Sequence, residues 1–174
     1  PFRLEPIVFN PHRFATQVFA AFSHQASKKG VDLKMDTTGV PRATTRLFGD
    51  QTRIVQIITN LVGNAIKFTA AEGSVAIRII LRSVPENDNN YFDPCDGNVP
   101  KNSTPAILTI EVADTGIGMS PEVISKLFRP FSQGQEGINR NYGGTGLGLS
   151  ITSELVKLMG GAKVDVHSVV GQGS

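Results

Sequence analysis

A chain of 174 residues with 40% hydrophobic and 18% charged residues is long enough for one folded domain and too apolar for a disordered tail. A net charge of +2, carried by scattered rather than clustered basic residues, argues against a nucleic-acid partner. The single cysteine, Cys95, excludes an internal disulfide and suits a reducing compartment, so we expect a cytoplasmic domain.

The first predicted helix runs from Asn10 to about Lys29. Pro11 suits the first turn of a helix, where an N–H group would lack a partner, and Gly30 is typical of the position that ends one. Apolar residues recur on one face at four-residue intervals: Phe14, Val18, Phe22 and Ala26. We expect this face in the core.

Two short strands and a second helix follow. Alternation of apolar and polar residues predicts a strand over residues 31–35, and residues 46–49 are a candidate for a short edge strand. Asp50 is placed to cap a helix that runs to about Thr69, before Gly73 interrupts the pattern. One stripe of this helix is apolar: Ile54, Ile57, Ile58, Leu61 and Ala65.

Residues 75–81 and 107–112 are predicted as two neighbouring strands of a hairpin. The segment between them, about 83–105, is polar, contains several prolines and has no period, so we expect a disordered insertion. Two helices that share a face with this hairpin imply a single domain over residues 1–174, an α+β sandwich in two layers.

After the hairpin, a helical pattern over residues 151–159 ends at two glycines. Residues 162–166 and 168–170 alternate like strands, and residues 171–174 form a turn with nothing after it to pair. We therefore expect a fragment of a longer protein. No apolar run reaches the roughly 20 residues of a membrane-spanning helix, so any membrane anchor of that parent would lie outside this chain.

Residues 143–150 read Gly-Gly-Thr-Gly-Leu-Gly-Leu-Ser and lead directly into the last predicted helix. Glycines let the backbone approach a ligand closely, and the helix N-terminus adds a positive dipole end, so the run favours a phosphate. A P-loop would need a lysine after the glycines, and a dinucleotide fingerprint would need a small residue where Leu149 or Ile151 stands. A tight turn with a helix cap is the alternative.

Asn60, Asn64 and Lys67 recur at helical spacing on the flank of the apolar stripe. Asparagine is unfavourable inside a helix, so the pair indicates either a function or two solvated surface residues. A neutral amide oxygen from Asn64 would be sufficient for Mg²⁺ that takes most of its negative charge from phosphates. Lys67 would then contact a phosphate oxygen, or else be a solvated lysine at the helix end.

Asp114-Thr115-Gly116-Ile117-Gly118 places a carboxylate and two glycines at a strand end. An ionised carboxylate can accept a hydrogen bond from an exocyclic amine while a flat ring lies against bare backbone, which suits adenine. Asp-Thr-Gly is also the signature of aspartic proteases. Only one such triplet is present, so that chemistry would need a dimer and would leave the asparagines unexplained.

Together these motifs resemble the catalytic and ATP-binding domain of sensor histidine kinases, in the superfamily that includes gyrase, a major heat-shock chaperone and the MutL proteins. They occur in the family's order: an N box at 60–69, a first glycine box at 114–118, an F box at 128–131 and a second glycine box at 144–149. The resemblance implies the Bergerat, or GHKL, fold, a two-layer α/β sandwich with a mixed sheet and helices on one face. The hairpin spacer and Gln133-Gly134 are similar to fungal osmosensing hybrid kinases.

The resemblance implies ATP and Mg²⁺ as cofactors and a role for each motif residue. Asp114, Gly116 and Gly118 would hold adenine. Asn64 would bind Mg²⁺, with Asn60 beside it and Lys67 on the phosphates. Phe128 would anchor a mobile lid over about residues 132–142, in which Arg140 would reach the terminal phosphate. The phosphates would be supported by Gly144, Thr145, Gly146, Leu147, Gly148 and Leu149.

Asparagine at position 60 favours transfer over hydrolysis. Hydrolytic relatives have a glutamate there that accepts a proton from water, and asparagine cannot act as that base. The resemblance therefore implies transfer of the γ-phosphoryl group of ATP to a histidine on a separate dimerisation domain of a homodimeric parent, and indirectly to a receiver domain. His12, His24 and His167 lack the sequence context of the family's phosphoacceptor. A clamp-type ATPase and a nucleotide-gated module without transfer are the alternatives.

Overall fold

A three-stranded mixed sheet and the helices packed on it form the body of the molecule. The computed structural model describes five stretches of the chain: residues 3–41, 44–84, 99–128, 147–161 and 163–174. The elements in these stretches are β1 (Ile7–Phe9), α1 (Pro11–Lys29), β2 (Asp32–Gly39), β3 (Leu47–Gly49), α2 (Gln51–Phe68), β4 (Ser74–Ser83), β5 (Ala106–Asp114), α3 (Pro121–Ile124) and α4 (Gly148–Leu158). No helix in the described stretches is long and apolar enough to cross a membrane.

The sheet has the strand order β2, β4, β5. Strand β4 runs parallel to β2 and antiparallel to β5, so the expected mixed sheet is confirmed. Strands β4 and β5 form the predicted hairpin, with Ile77 opposite Val112. The short strand expected at residues 46–49 is β3, which pairs with β1 in a separate antiparallel sheet. Strand β1 was missed because its three residues, Ile7, Val8 and Phe9, are all apolar and show no alternation.

The helices cover one face of the sheet. Along β4, Val75, Ile77 and Ile79 are fully buried, whereas the alternating Ala76 and Arg78 are exposed. Burying a side chain of this size stabilises the fold by about 1.5–3 kcal/mol. The predicted two-layer α+β architecture is therefore confirmed.

Helix α2 is buried over a wider arc than the predicted stripe. Ile54, Ile57, Ile58 and Ala65 are buried as expected, but Leu61 is only half-buried. Val62 and Ile66 are fully buried instead, because α2 contacts α1, α4 and the sheet on different sides. A stripe read from the sequence assumes a single covered face, and α2 lies in the middle of the helical layer.

The predicted helix caps are confirmed. Asn10 Oδ1 accepts a hydrogen bond from the Arg13 N–H at 2.9 Å, and Gly30 ends α1 in a left-handed conformation with φ 73°. The last helix starts at Gly148, three residues before the predicted start. The Leu147 carbonyl already accepts from the Ile151 N–H at 3.0 Å, which extends the helix into the glycine-rich run.

The expected insertion lies between the paired ends of β4 and β5. Ser83 is opposite Ala106, and the Val84 N–H donates to the Pro105 carbonyl at 3.0 Å. Residues 85–98 lie outside the described residues, so their disorder stays a prediction. The hairpin holds both flanks of this segment together.

The two strands expected at residues 162–166 and 168–170 are wrong. Within residues 163–174 the structure has only an isolated bridge between Val169 and Gly173. Ser174, expected in an unpaired turn, exchanges two backbone hydrogen bonds with Asp114, at 2.8 and 3.2 Å. Alternation predicts which side chains face a core, but a strand also needs a neighbouring backbone to bond with.

Asp50→Ala should destabilise the domain through α2. The Asp50 side chain is buried, and its carboxylate accepts hydrogen bonds from the Arg53 and Glu5 N–H groups, each at 3.0 Å. We expect urea unfolding to show a loss of about 1–2 kcal/mol in the free energy of unfolding, and a smaller loss for Asp50→Asn, which still caps.

Asp32→Ala is the matched control, because Asp32 is exposed and its carboxylate pairs with exposed Lys34 at 3.1 Å. Its effect should stay within about 0.5 kcal/mol. Equal losses for Asp32→Ala and Asp50→Ala would contradict the capping role.

Candidate functional site

The predicted asparagine pair lies where α2 meets α4. Asn60 Nδ2 donates a hydrogen bond to Thr152 Oγ1 at 2.7 Å, and Asn64 Nδ2 is 3.5 Å from Asn60 Oδ1. Both asparagines are half-buried, one helical turn apart on the same face of α2. The structure thus brings Asn60 and Asn64 together at the rim of the core, as the spacing predicts.

Gly148 brings the start of α4 against Asn60. A Cβ atom at Gly148 would overlap Asn60 Oδ1, so only glycine allows this approach. Among the described residues no side chain caps α4 at Leu147, and the backbone N–H groups of its first turn form the positive end of the helix dipole. Leu147, Gly148 and Leu149 therefore lie where an anion would be stabilised, beside Asn60.

Part of the predicted site falls on residues that the structure does not describe. These residues are Arg140, Gly144, Thr145 and Gly146, together with the predicted lid at 132–142. Their assigned roles stay predictions.

Asp114 lies at the end of β5, half-buried, and its Oδ1 accepts a hydrogen bond from the Gly116 N–H at 2.8 Å. Burial raises the pKa of the Asp114 carboxyl, and hydrogen bonds from the backbone N–H groups of Gly116 and Ser174 partly offset this. Gly116 is in close contact with α2, because a Cβ there would be 2.5 Å from the Phe68 carbonyl oxygen. The carboxylate thus lies in a tight, partly desolvated turn.

The last turn of α2 connects this turn to the asparagine pair. The Ile117 N–H donates to the Phe68 carbonyl at 3.2 Å. Lys29 Nζ, from the end of α1, donates to the Ile66 and Lys67 carbonyls at 2.7 and 2.5 Å. These bonds satisfy carbonyl groups that a helix end leaves without partners. The bond from Ile117 also joins the turn that follows Asp114 to the end of the helix that carries Asn64.

Lys29 and Thr152 were missed by sequence reasoning. A cation near a helix C-terminus is a known stabilising pattern, but Lys29 acts on a different helix from its own, 37 residues away. Burial lowers the pKa of its ammonium group. Thr152 reads as an ordinary member of α4, and only the packing of α4 on α2 shows its contact with Asn60.

The remaining predicted residues lie around this centre. Lys67 Nζ lies over the Phe68 ring, 4.9 Å from its centroid, in a cation–π contact at the end of α2. Gly118 contacts the backbone of Val169, and Phe128 is half-buried in the turn after α3. The structure therefore places Lys67 one turn beyond Asn64, with its ammonium group over an aromatic face.

The donor set fits Mg²⁺ only in the company of a nucleotide. Among the described residues there is no cluster of three histidine, cysteine, aspartate or glutamate side chains that could hold a metal ion. The amide oxygen of Asn64 is a hard, neutral ligand, so phosphate oxygens would have to supply the charge. The start of α4, which Gly148 brings against Asn60, is the element placed to bind those phosphates through its backbone N–H groups.

Known proteins resemble this chain over most of its length. A family model described as histidine kinase-, DNA gyrase B-, and HSP90-like ATPase matches residues 49–174. The signal transduction histidine-protein kinase BarA of Escherichia coli K12 is 36% identical over 172 residues, which are 98% of this chain and 16% of BarA. The chain thus spans about a sixth of that relative.

Two solved structures show the same fold. Full-length ShkA in complex with AMPPNP has a TM-score of 0.66 and 29% identity, covering 99% of this chain and 30% of that chain. ThkA in complex with the response regulator protein TrrA has a TM-score of 0.60 and 24% identity, covering 92% of this chain and 37% of that chain. At 24% identity the likeness to ThkA shows the fold alone.

Asp114→Asn should weaken binding of adenine nucleotides about 10- to 100-fold, because it removes a charged acceptor from a half-buried site. In the unchanged protein, the affinity for adenine nucleotides should also fall as the pH is lowered. The ionised form is the acceptor, and burial raises the pKa of this carboxyl, so affinity should be lost as the pH drops through a value above that of an ordinary aspartate.

Calorimetric titration with an ATP analogue between pH 4.5 and 8 measures both effects. Asp36→Asn is the control, because Asp36 pairs with Arg78 on the exposed face of the sheet. Affinity that is unchanged in Asp114→Asn, or that rises at low pH, would exclude the adenine role.

Gly148→Ala should disturb Asn60 although alanine is the better helix former by about 1 kcal/mol. The added Cβ would overlap Asn60 Oδ1, and such overpacking costs about 1–3 kcal/mol. We expect lower stability in urea and at least about tenfold weaker nucleotide binding. Gly63→Ala, whose Cβ would meet nothing within 4 Å, should instead stabilise α2. Equal stabilisation by both substitutions would contradict the close contact.

Proposed function

Since this chain belongs to the family of histidine kinase-, DNA gyrase B- and HSP90-like ATPases, we propose that it is the ATP-Mg²⁺-binding catalytic domain of a sensor histidine kinase. It transfers the γ-phosphoryl group of ATP to a histidine on a separate dimerisation domain. The observation that carries this proposal is the pair of neutral amides, Asn60 and Asn64, against the start of α4. ShkA, with 29% identity, was solved in complex with the ATP analogue AMPPNP, which supports nucleotide binding by this chain.

Each part of the site has a proposed task. Asp114 accepts a hydrogen bond from the adenine amine, while Gly116 and Gly118, packed against Phe68 and Val169, form the turn that holds the ring. Asn64 is the protein ligand of Mg²⁺, which when bound neutralises phosphate charge. The start of α4 and the glycine-rich run hold the phosphates, and Lys67 leaves the Phe68 ring to contact a phosphate oxygen. Phe128 anchors the lid, and Arg140 reaches the terminal phosphate.

Transfer is favoured over hydrolysis by the chemistry of Asn60. A carboxamide has no basic lone pair at neutral pH, so it cannot take a proton from an attacking water. The Asn60 Nδ2 group is also held by Thr152, so the side chain serves as a fixed dipole rather than a base. An imidazole nitrogen needs no such help, because it attacks phosphorus with its own lone pair and the bond to the ADP oxygen breaks.

The acceptor imidazole belongs to another domain in this proposal. His12 Nε2 donates to the Pro41 carbonyl at 2.9 Å, which gives that ring a structural contact. Residues 1–174 form one catalytic domain of a cytoplasmic, homodimeric kinase in this proposal. A receiver domain accepts the phosphoryl group next. ThkA, which has the same fold, was solved in complex with a response regulator protein. The osmosensing fungal subtype stays a prediction, since BarA is bacterial.

Mixing this chain with the parent's histidine-bearing domain and γ-labelled ATP should give acid-labile, base-stable phosphohistidine. Asn64→Ala should lower the transfer rate at least about 100-fold, since it removes the metal ligand and its orientation of the phosphates. Thr59→Ala, exposed on the same helix, should leave the rate unchanged.

The same mixture separates the two alternatives. Rapid phosphate release from the chain alone would favour a clamp-type ATPase. Bound nucleotide with no phosphohistidine would favour a nucleotide-gated interaction module.

A further inference from the structure

We propose that Thr152 is a positioning residue that fixes the carboxamide of Asn60 and, through it, the metal-binding oxygen of Asn64. This inference rests on the proposed function. It starts from one contact, the 2.7 Å hydrogen bond between Asn60 Nδ2 and Thr152 Oγ1. That contact joins two helices whose residues are 92 positions apart in the chain.

Thr152 differs from the other buried hydroxyl groups of the described residues. Thr69 Oγ1 donates to the Ala65 carbonyl at 2.7 Å, and Ser150 Oγ donates to the Leu147 carbonyl at 2.8 Å. Both are local bonds that support a helix end. Thr152, only 1% exposed, is instead in contact with the functional side chain of another helix.

Asn60 is bounded on three sides. Thr152 holds its Nδ2, the bare Cα of Gly148 lies against its Oδ1, and Asn64 Nδ2 is 3.5 Å from the same oxygen. The bond to Thr152 fixes where the amide plane of Asn60 lies. Because a hydroxyl can accept or donate, this bond alone does not decide which end of the amide is the oxygen. The NH₂ group of Asn64 then selects the oxygen of Asn60 as the atom that faces it, because two opposed NH₂ groups would repel.

The consequence reaches the proposed metal ligand. Since the Nδ2 of Asn64 is directed at Asn60, its Oδ1 is turned away from Asn60. Outer contacts of this kind commonly orient a metal ligand, and their loss costs about 10- to 100-fold in metal affinity when the contact is direct. Thr152 acts one residue further away, so we expect a smaller effect.

Valine and serine separate positioning from packing. Valine keeps the shape of threonine and removes the hydroxyl, whereas serine keeps the hydroxyl and removes a buried methyl group. A residue needed only for packing should tolerate Thr152→Val better than Thr152→Ser. A positioning residue should show the opposite order in nucleotide binding, even if Thr152→Ser is the less stable protein.

The test is calorimetric titration of the full chain with AMPPNP, with Mg²⁺ and again in EDTA. We expect Thr152→Val to weaken the Mg²⁺-supported affinity about three- to tenfold, the loss of one hydrogen bond, and the affinity in EDTA less than about twofold. Thr152→Ser should stay within about twofold of the unchanged protein in both conditions. Urea unfolding of each variant measures packing separately.

The outcomes distinguish this inference from the proposed function. Unchanged protein that binds no AMPPNP would overturn both. Mg²⁺-dependent binding that is the same in Thr152→Val, or that weakens equally with and without Mg²⁺, would overturn the role of Thr152 alone.

A second measurement covers a valine variant that fails to fold. In the unchanged protein, the side-chain NH₂ of Asn60 should exchange its protons with water more slowly by NMR than that of exposed Asn102. Equal exchange rates would overturn the proposed contact.

Discussion

Backbone carbonyl groups in the last turn of α2 accept hydrogen bonds from the residues around them. Lys29 donates to Ile66 and Lys67, and the Ile117 N–H donates to Phe68. A helix end normally leaves these groups to water, so their tertiary partners determine where the end of α2 lies. The position of Asn64 relative to Asp114 depends on this turn. A nucleotide that contacts both residues would have to match the distance between them.

The electrostatics of the site divide in a way that suits a polyanionic ligand. At one end, burial raises the pKa of the Asp114 carboxyl. Its ionised form is therefore stabilised by hydrogen-bond donors. At the other end, Asn60 and Asn64 are neutral and the start of α4 is the positive end of a helix dipole. A second acid beside the phosphates would repel them, and the asparagines avoid this repulsion while Asn64 still offers an amide oxygen.

The stability of the domain and the geometry of its site depend on the same helix. Helix α2 is held at its start by buried Asp50 and along its length by fully buried Ile58 and Val62. Its functional side chains lie on the flank of that buried arc, next to α4. A change that shifts α2 in the core therefore changes ligand binding as well. Variants have to be compared by stability and by binding together, because either measurement alone mixes the two effects.

The sequence by itself determined what depends on neighbouring residues: the caps at Asn10 and Asp50, the hairpin, and the asparagine pair one turn apart. Helix period, capping and alternation act over a few positions, so they can be read locally. Only the tertiary structure decided that Thr152 is hydrogen-bonded to Asn60 and that Lys29 donates to a carbonyl in the last turn of α2. It also decided that residues 163–168 lie in no strand and that Val169 forms an isolated bridge. Such contacts join distant segments through packing, which has no periodic signature along the chain.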